Sequence, residues 1–379
     1  MAREQLPVTP ALITWARERA GFGLEEAQLK FRNIVDWEQG DAGPTYAQLE
    51  AMSDAFKVPI AVFFFPAPPD VPRPEETFRT MPDAVLAALE PRIKLLLRKA
   101  KVLQLNLSEL NGGRNPARRL ITRDLRFPLN VSLGRMAAAV RDYLGVTLDQ
   151  QTSWASTDVA LERWRAAFAR AGVFVFKDQF RAERFAGFCL TDSEFPIIYI
   201  NNTATKARQI FTLFHELAHL LFHTSGVDFS REEDAPRWRH EAARIEVLCN
   251  RLAGTLLVPD AALIMQLAGR DFTFDVASEL ARHFHVSSLV IHRKLLDRRL
   301  IDVAAYRAAH DRAEAEREEG GGGNFYNNQM AYLGRAYIEM ALKAYHQHRI
   351  DEIQLADYLL VKPRNVGPLE ERFLRGVAA

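Results

Sequence analysis

The segment Phe211-Thr-Leu-Phe-His-Glu-Leu-Ala-His-Leu-Leu-Phe222 sets His215 and His219 four residues apart, with Glu216 between them. On a helix, residues four apart stand one above the other, so both imidazoles can reach a single ion. Glu216 lies one residue round the helix, beside the ion without being a ligand. This is the arrangement of a zinc-dependent hydrolase, in which the metal acidifies water and the carboxylate takes its proton. Chance is the other reading of so short a pattern. Leu213, Phe214, Leu217, Ala218, Leu220 and Leu221 weigh against it, because they bury the rest of the helix. Two imidazoles and a carboxylate in such a setting need partners.

Catalytic zinc takes three protein ligands and keeps a fourth position for water. The third must come from elsewhere in the chain. His223 is nearest, but it lies two turns beyond His215 along the helix, too far along the axis. Glu246 is the better candidate, an acidic residue on an otherwise apolar helix face beside Ile245 and Leu248. A surface ion pair is its alternative role. His240 and Glu241 are weaker rivals at the polar start of the same helix. Asn250 follows Glu246 by four residues and shares its face, where it can orient the site by a hydrogen bond or act as a packing amide. Two histidines and one carboxylate admit zinc or manganese. For the residue that stabilises the oxyanion, His223, His240 and Tyr199 are the candidates.

The elements that position these residues follow from the pattern of the chain. It has 379 residues, 48% of them hydrophobic, with a net charge of +1, enough for two or three domains with real cores. Its two cysteines, Cys189 and Cys249, exclude a disulfide framework and a four-cysteine zinc site, and they suit a reducing cytoplasm. The N-terminus lacks an apolar signal core and no segment is long enough to span a bilayer, so a cytoplasmic protein is expected.

Charge is uneven. Met1 to Asp70 carries six Lys/Arg against ten Asp/Glu, and Pro91 to Asn130 carries ten against two. Pro66, Pro68, Pro69, Pro72 and Pro74 between them read as a stiff linker. Ala11–Ala20 and Leu24–Phe31 are helices by spacing. The turn from Glu38 to Pro44 leads to Thr45, an N-cap paired with Gln48 in a capping box, and a helix to about Lys57. Asp83 to Leu110 gives one or two helices with a basic face of Arg92, Lys94, Arg98, Lys99 and Lys101. Leu133–Leu144 and Asp158–Arg170 are further helices. Gly172–Phe176, Gly187–Leu190 and Pro196–Ile200 are short β-rich runs, a small sheet before the histidine helix. Arg239–Leu257 is an amphipathic helix, and Phe274–Arg299 holds two more. His310 to Gly323 is acidic and then tetraglycine, a flexible connection. The tail from Asn324 is mostly helical.

Taken together, the motif from Phe211 to His223, Glu246-x-x-x-Asn250 and Thr255-Leu-Leu-Val-Pro259 closely resemble the ImmA/IrrE metallo-endopeptidases, over about Leu161 to Leu300. The resemblance implies that His215, His219 and Glu246 bind zinc and that Glu216 is the general base. Trp37-Glu-x-Gly40, Pro44-Thr-Tyr-x-Gln-Leu49 and Val58-Pro-Ile-Ala-Val-Phe-Phe64 resemble the XRE-type helix-turn-helix domain often fused to such peptidases. Here the turn and recognition helix between Ala27 and Trp37 are shortened by about three residues. Gly321-Gly-Gly-Asn-Phe-Tyr326 and Tyr332-Leu-Gly334 resemble the C-terminal extension of the same fused proteins.

The expected fold class is therefore α+β and mainly helical. A helix-turn-helix-like domain (1–70) precedes a helical linker region with the basic face (71–160). A zincin-like peptidase domain (161–307) and a Gly-rich connection with a helical extension (308–379) follow. The family implies cleavage of a partner repressor, itself a helix-turn-helix protein, in a stress-response or mobile-element switch. The rival is a DNA-binding regulator or antitoxin with a non-catalytic peptidase-like domain. The net −4 of the first seventy residues opposes phosphate attraction, so protein docking is the favoured role of that domain. The basic stretch is read as a solvated face or an internal partner of the acidic domain. A purely structural zinc would have no need of Glu216.

Overall fold

The computed structural model describes residues 5–69, 90–128, 131–182, 185–222, 227–229, 240–315 and 324–376, with 227–229, 240–243 and 314–315 as backbone alone. These divide into two compact units, Met1–Lys99 and Ala100–Ala379.

The first unit is helical. Helices α1 (Pro10–Ala20), α2 (Leu24–Lys30), α3 (Ile34–Gln39) and α4 (Tyr46–Phe56) are followed by a 3₁₀ turn at Ile60–Phe64. The capping box forms as expected, the Thr45 N–H donating to Gln48 Oε1 at 2.8 Å. Ile13, Ala16, Ile34, Trp37, Leu49, Met52, Phe56 and Phe63 make the core. Arg17 reaches across it and grips the Glu38 carboxylate with both ends of its guanidinium, at 2.6 and 3.1 Å. Helix α3 is only six residues long and ends at Gly40, whose φ of 84° is the left-handed stop of a helix. Sequence spacing ended the second helix at Phe31 and gave a turn from Glu38 onward, with no helix assigned between them.

Helix α5 (Pro91–Leu110) carries the basic residues, and the unit boundary falls within it. Asp83 to Leu89, Pro72 and Pro74 lie outside the described residues. Arg92, Lys94, Arg98 and Lys99 are half-buried rather than fully solvated. The Lys94 stem lies against Gly21. Burial, with the Arg19 charge added to it, lowers the Arg98 guanidinium to about 10.

The second unit continues through α6 (Ile121–Asp124), α7 (Leu133–Leu144), α8 (Leu148–Ser153) and α9 (Thr157–Arg170) to β1 (Phe174–Asp178), β2 (Phe185–Leu190) and β3 (Ile197–Asn201). Helix α10 (Lys206–Leu221) carries the histidines and is followed by β4 (Val227–Phe229) and α11 (His240–Leu257). Helices α12 (Asp260–Leu267), α13 (Phe274–Phe284), α14 (Ser288–Asp297) and α15 (Val303–Ala315) complete the middle of the chain. The tail forms α16 (Phe325–Leu333), α17 (Arg335–His346), α18 (Glu352–Tyr358) and α19 (Val366–Arg375). The result is mostly helical with one small sheet, the α+β class expected from the sequence. Residues 310–315, read from sequence as a flexible connection, are the end of α15; 316–323 lie outside the described residues.

The sheet has the order β1-β3-β2-β4, with β1 and β3 parallel and β2 antiparallel to both its neighbours. All three longer strands are buried along their whole length, as strands covered on both faces must be. Val173, Val175, Cys189, Ile198 and Ile200 face α9 and α10 and join the main core with Trp164, Phe168, Leu213, Phe214 and Leu217. The alternate residues face the other way. Phe188 stacks on Tyr199 at 5.2 Å, and Phe176 meets Tyr337 of α17 edge-on at 5.2 Å. The C-terminal helices therefore cover the far face of the sheet. The Tyr337 hydroxyl, donating to Tyr358 O at 3.1 Å, ties two of them together. No single helix among the described residues is long and apolar enough to cross a membrane.

Candidate metal centre

Helix α10 lies directly on β2 because Gly187 leaves room for it. A Cβ there would meet Thr212 Cγ2 at 2.6 Å and Tyr199 O at 3.0 Å. Thr205 opens the helix, its hydroxyl accepting the Arg208 N–H. The sheet lies beneath α10, α9 flanks it through Trp164 and Phe214 (ring centroids 4.7 Å apart), and α11 packs along it. Twelve of its sixteen residues are buried as a result, His215, Glu216 and His219 included.

The structure brings His215, His219 and Glu246 together. The two imidazole Nε2 atoms are 3.1 Å apart. The Glu246 carboxylate from α11 spans them, Oε2 lying 3.2 Å from His215 Nε2 and Oε1 3.2 Å from His219 Nε2. Asn250 also falls into place, with Oδ1 3.0 Å from His215 Nδ1. An amide oxygen can only accept, so Nδ1 carries the imidazole proton and the Nε2 lone pair is turned toward the carboxylate. That is the tautomer a metal-binding histidine needs.

These distances fit a divalent ion. Zinc bonds of 2.0–2.1 Å in tetrahedral array put neighbouring donor atoms about 3.3 Å apart, close to the 3.1–3.2 Å found here. Among the described residues this is the one group of three His, Cys, Asp or Glu side chains whose ligand atoms lie within 4.8 Å of one another. Three donors of this kind leave one tetrahedral position open, and the fully buried Glu216 adjoins them in sequence.

The other four sequence candidates lie on the far face of the sheet or outside the described residues. Tyr199 is on the far face of the sheet, its hydroxyl donating to Asp178 Oδ2 at 3.3 Å, so it does not serve the site. The side chains of His223, His240 and Glu241 lie outside the described residues. Sequence reasoning missed Gly187 and the Trp164–Phe214 ring pair. A glycine inside an apolar strand was the available signal for a close approach.

Residues 168–296 match Peptidase_M78, the family described as the IrrE N-terminal-like domain. The match spans the last turn of α9, the sheet, the trio and the helices up to α14, and together with the His-His-Glu group it supports a peptidase of metalloprotease type. The chain is also similar to the radiation response metalloprotease IrrE of Deinococcus radiodurans, 33% identical over 97 residues, 26% of this chain and 30% of that protein. The chain thus matches less than a third of the length of that relative.

Proposed function

We propose that the chain is a zinc-dependent endopeptidase in which His215, His219 and Glu246 hold the metal, Asn250 orients His215, and Glu216 is the general base. Manganese suits the same donors. The observation that carries the reading is the closure of three ligands from two helices to within bonding reach of one ion. A divalent ion held there acidifies water and polarises a carbonyl. Glu216 takes the water proton and delivers it to the leaving amine nitrogen. Its burial supports this role, because a carboxylate shielded from solvent keeps the proton for the amine rather than losing it to bulk water.

The first unit, with residues 1–70 as an XRE-like helix-turn-helix domain, is proposed to dock a protein substrate rather than to read DNA. Residues 71–160 are proposed as the helical linker region, 161–307 as the peptidase domain and 308–379 as the extension. The six-residue α3 and the acidic balance of the first seventy residues both favour docking. The substrate proposed is a helix-turn-helix repressor in a cytoplasmic stress-response or mobile-element switch. Glu216→Gln is expected to bind metal normally and lose cleavage of such a repressor, while His215→Ala loses both. Unchanged cleavage by Glu216→Gln would sink the mechanism. The alternative, a regulator with a non-catalytic peptidase fold, predicts repressor binding or DNA binding that is indifferent to both substitutions.

A further inference from the structure

The trio is shared between α10 and α11, so its geometry depends on how α11 is fixed lengthwise and in rotation against α10. The C-terminal end of α11 is where the chain fixes it. Helix ends leave their last carbonyls without intrahelical partners. Here Leu256 O accepts from Arg141 Nη2 at 2.6 Å and Leu257 O from Gln151 Nε2 at 3.0 Å. Arg141 Nη2 also donates to Gln151 Oε1 at 2.8 Å, and Nη1 to Val146 O at 3.1 Å. The fully buried Gln151 extends the network to Phe284 O at the end of α13, at 2.7 Å.

The same guanidinium touches the seat of α10. It lies 5.8 Å from the Trp164 ring, which meets Phe214 edge-on at 4.7 Å, and Phe214 immediately precedes His215. A cation at a helix C-terminus is favoured by the helix dipole. A stiff helix passes any slip at Leu256 on to Glu246, ten residues and about 15 Å away.

We infer that Arg141 is a positioning residue for the metal centre: by pinning the end of α11 and bracing Trp164 against Phe214 of α10, it holds Glu246 in register with His215 and His219. This rests on the metal-centre reading. Lysine keeps the charge but lacks the planar fork that serves three acceptors at once, so Arg141→Lys isolates the geometry from the charge.

The test uses the full metal-free chain as wild type, Arg141→Lys and Gln151→Leu. Each is titrated with cobalt(II) by visible absorption and with zinc against a chelator, and melted by circular dichroism in the same buffer. Both variants are expected to fold with wild-type secondary structure, to bind zinc about 10-fold or more weakly, and to give a shifted cobalt absorption band. Variants that melt lower yet bind zinc with wild-type affinity and show the wild-type band would overturn the inference, leaving Arg141 and Gln151 as packing residues only. A wild type that takes up neither ion would instead remove the metal-centre reading beneath it.

Discussion

Replacing Gly187 by alanine tests whether α10 rests on the sheet as described. The new Cβ would lie 2.6 Å from Thr212 Cγ2 and 3.0 Å from Tyr199 O. Carbon atoms in ordinary contact are about 3.5–4.0 Å apart, so the helix, the strand or both must give by about 1 Å. Overpacking of this kind costs about 1–3 kcal/mol, a fall in melting temperature of roughly 2–5 °C for a unit of this size. Thr212→Ser removes the methyl group in the way and on its own costs about 1 kcal/mol. Combined with Gly187→Ala it restores much of the loss, because only the contact with Tyr199 O then stays tight. A double-mutant cycle should therefore give a favourable coupling of about 1–2 kcal/mol. Thr212 is one turn ahead of His215, so Gly187→Ala should weaken zinc binding as well and the double variant regain it. Purely additive stabilities, or an alanine variant as stable as wild type, would refute the claim that α10 is seated directly on β2.

Asn250→Ala removes the acceptor that orients His215 and should weaken zinc binding about 10- to 100-fold while secondary structure is retained; chelator competition measures it, and wild-type affinity would show Asn250 to be a packing amide. Lys177, on β1, is buried, and burial followed by repulsion from Arg165 lowers its amine to about 7 against the pull of Glu162. Between about pH 7 and 10 the unfolded chain keeps a proton that the folded chain has lost, so stability rises with pH, by up to about 1.4 kcal/mol per unit. Lys177→Met should flatten that rise in urea unfolding midpoints, and parallel curves for the two proteins would contradict it. Above about pH 10 the trend reverses as the unfolded chain's tyrosines ionise, because burial raises the hydroxyls of Tyr337 and Tyr358, the latter to about 12.

The parts of the fold written as local pattern were legible. Apolar spacing gave α4, α9 and α10, Thr45 and Gln48 gave a cap, and β-branched and aromatic runs gave three strands. What failed was short or decided at long range. Helix α3 has two turns at most, and β4 has three residues, too few to carry a periodic signal. Strands buried on both faces do not alternate in polarity, so nothing local told Tyr199 from Ile198 or Ile200, although only the latter two face α10. At the site, the two histidines were readable because one helix carries both. Glu246 could be picked out as an acid on an apolar face, but its position between the imidazoles depends on how α11 packs along α10. The contacts made by α11 itself come from residues far away in the chain, among them Arg141 and Gln151 on the Leu256 and Leu257 carbonyls.

The most direct test of the metal centre is elemental analysis of the purified chain beside Glu246→Ala. The variant should fold, since it loses a carboxylate that the ion alone requires in that place. Close to one zinc or manganese per wild-type chain, lost from the variant, is the predicted result. A wild type that stays metal-free after reconstitution, or a variant that keeps its full complement, would contradict it.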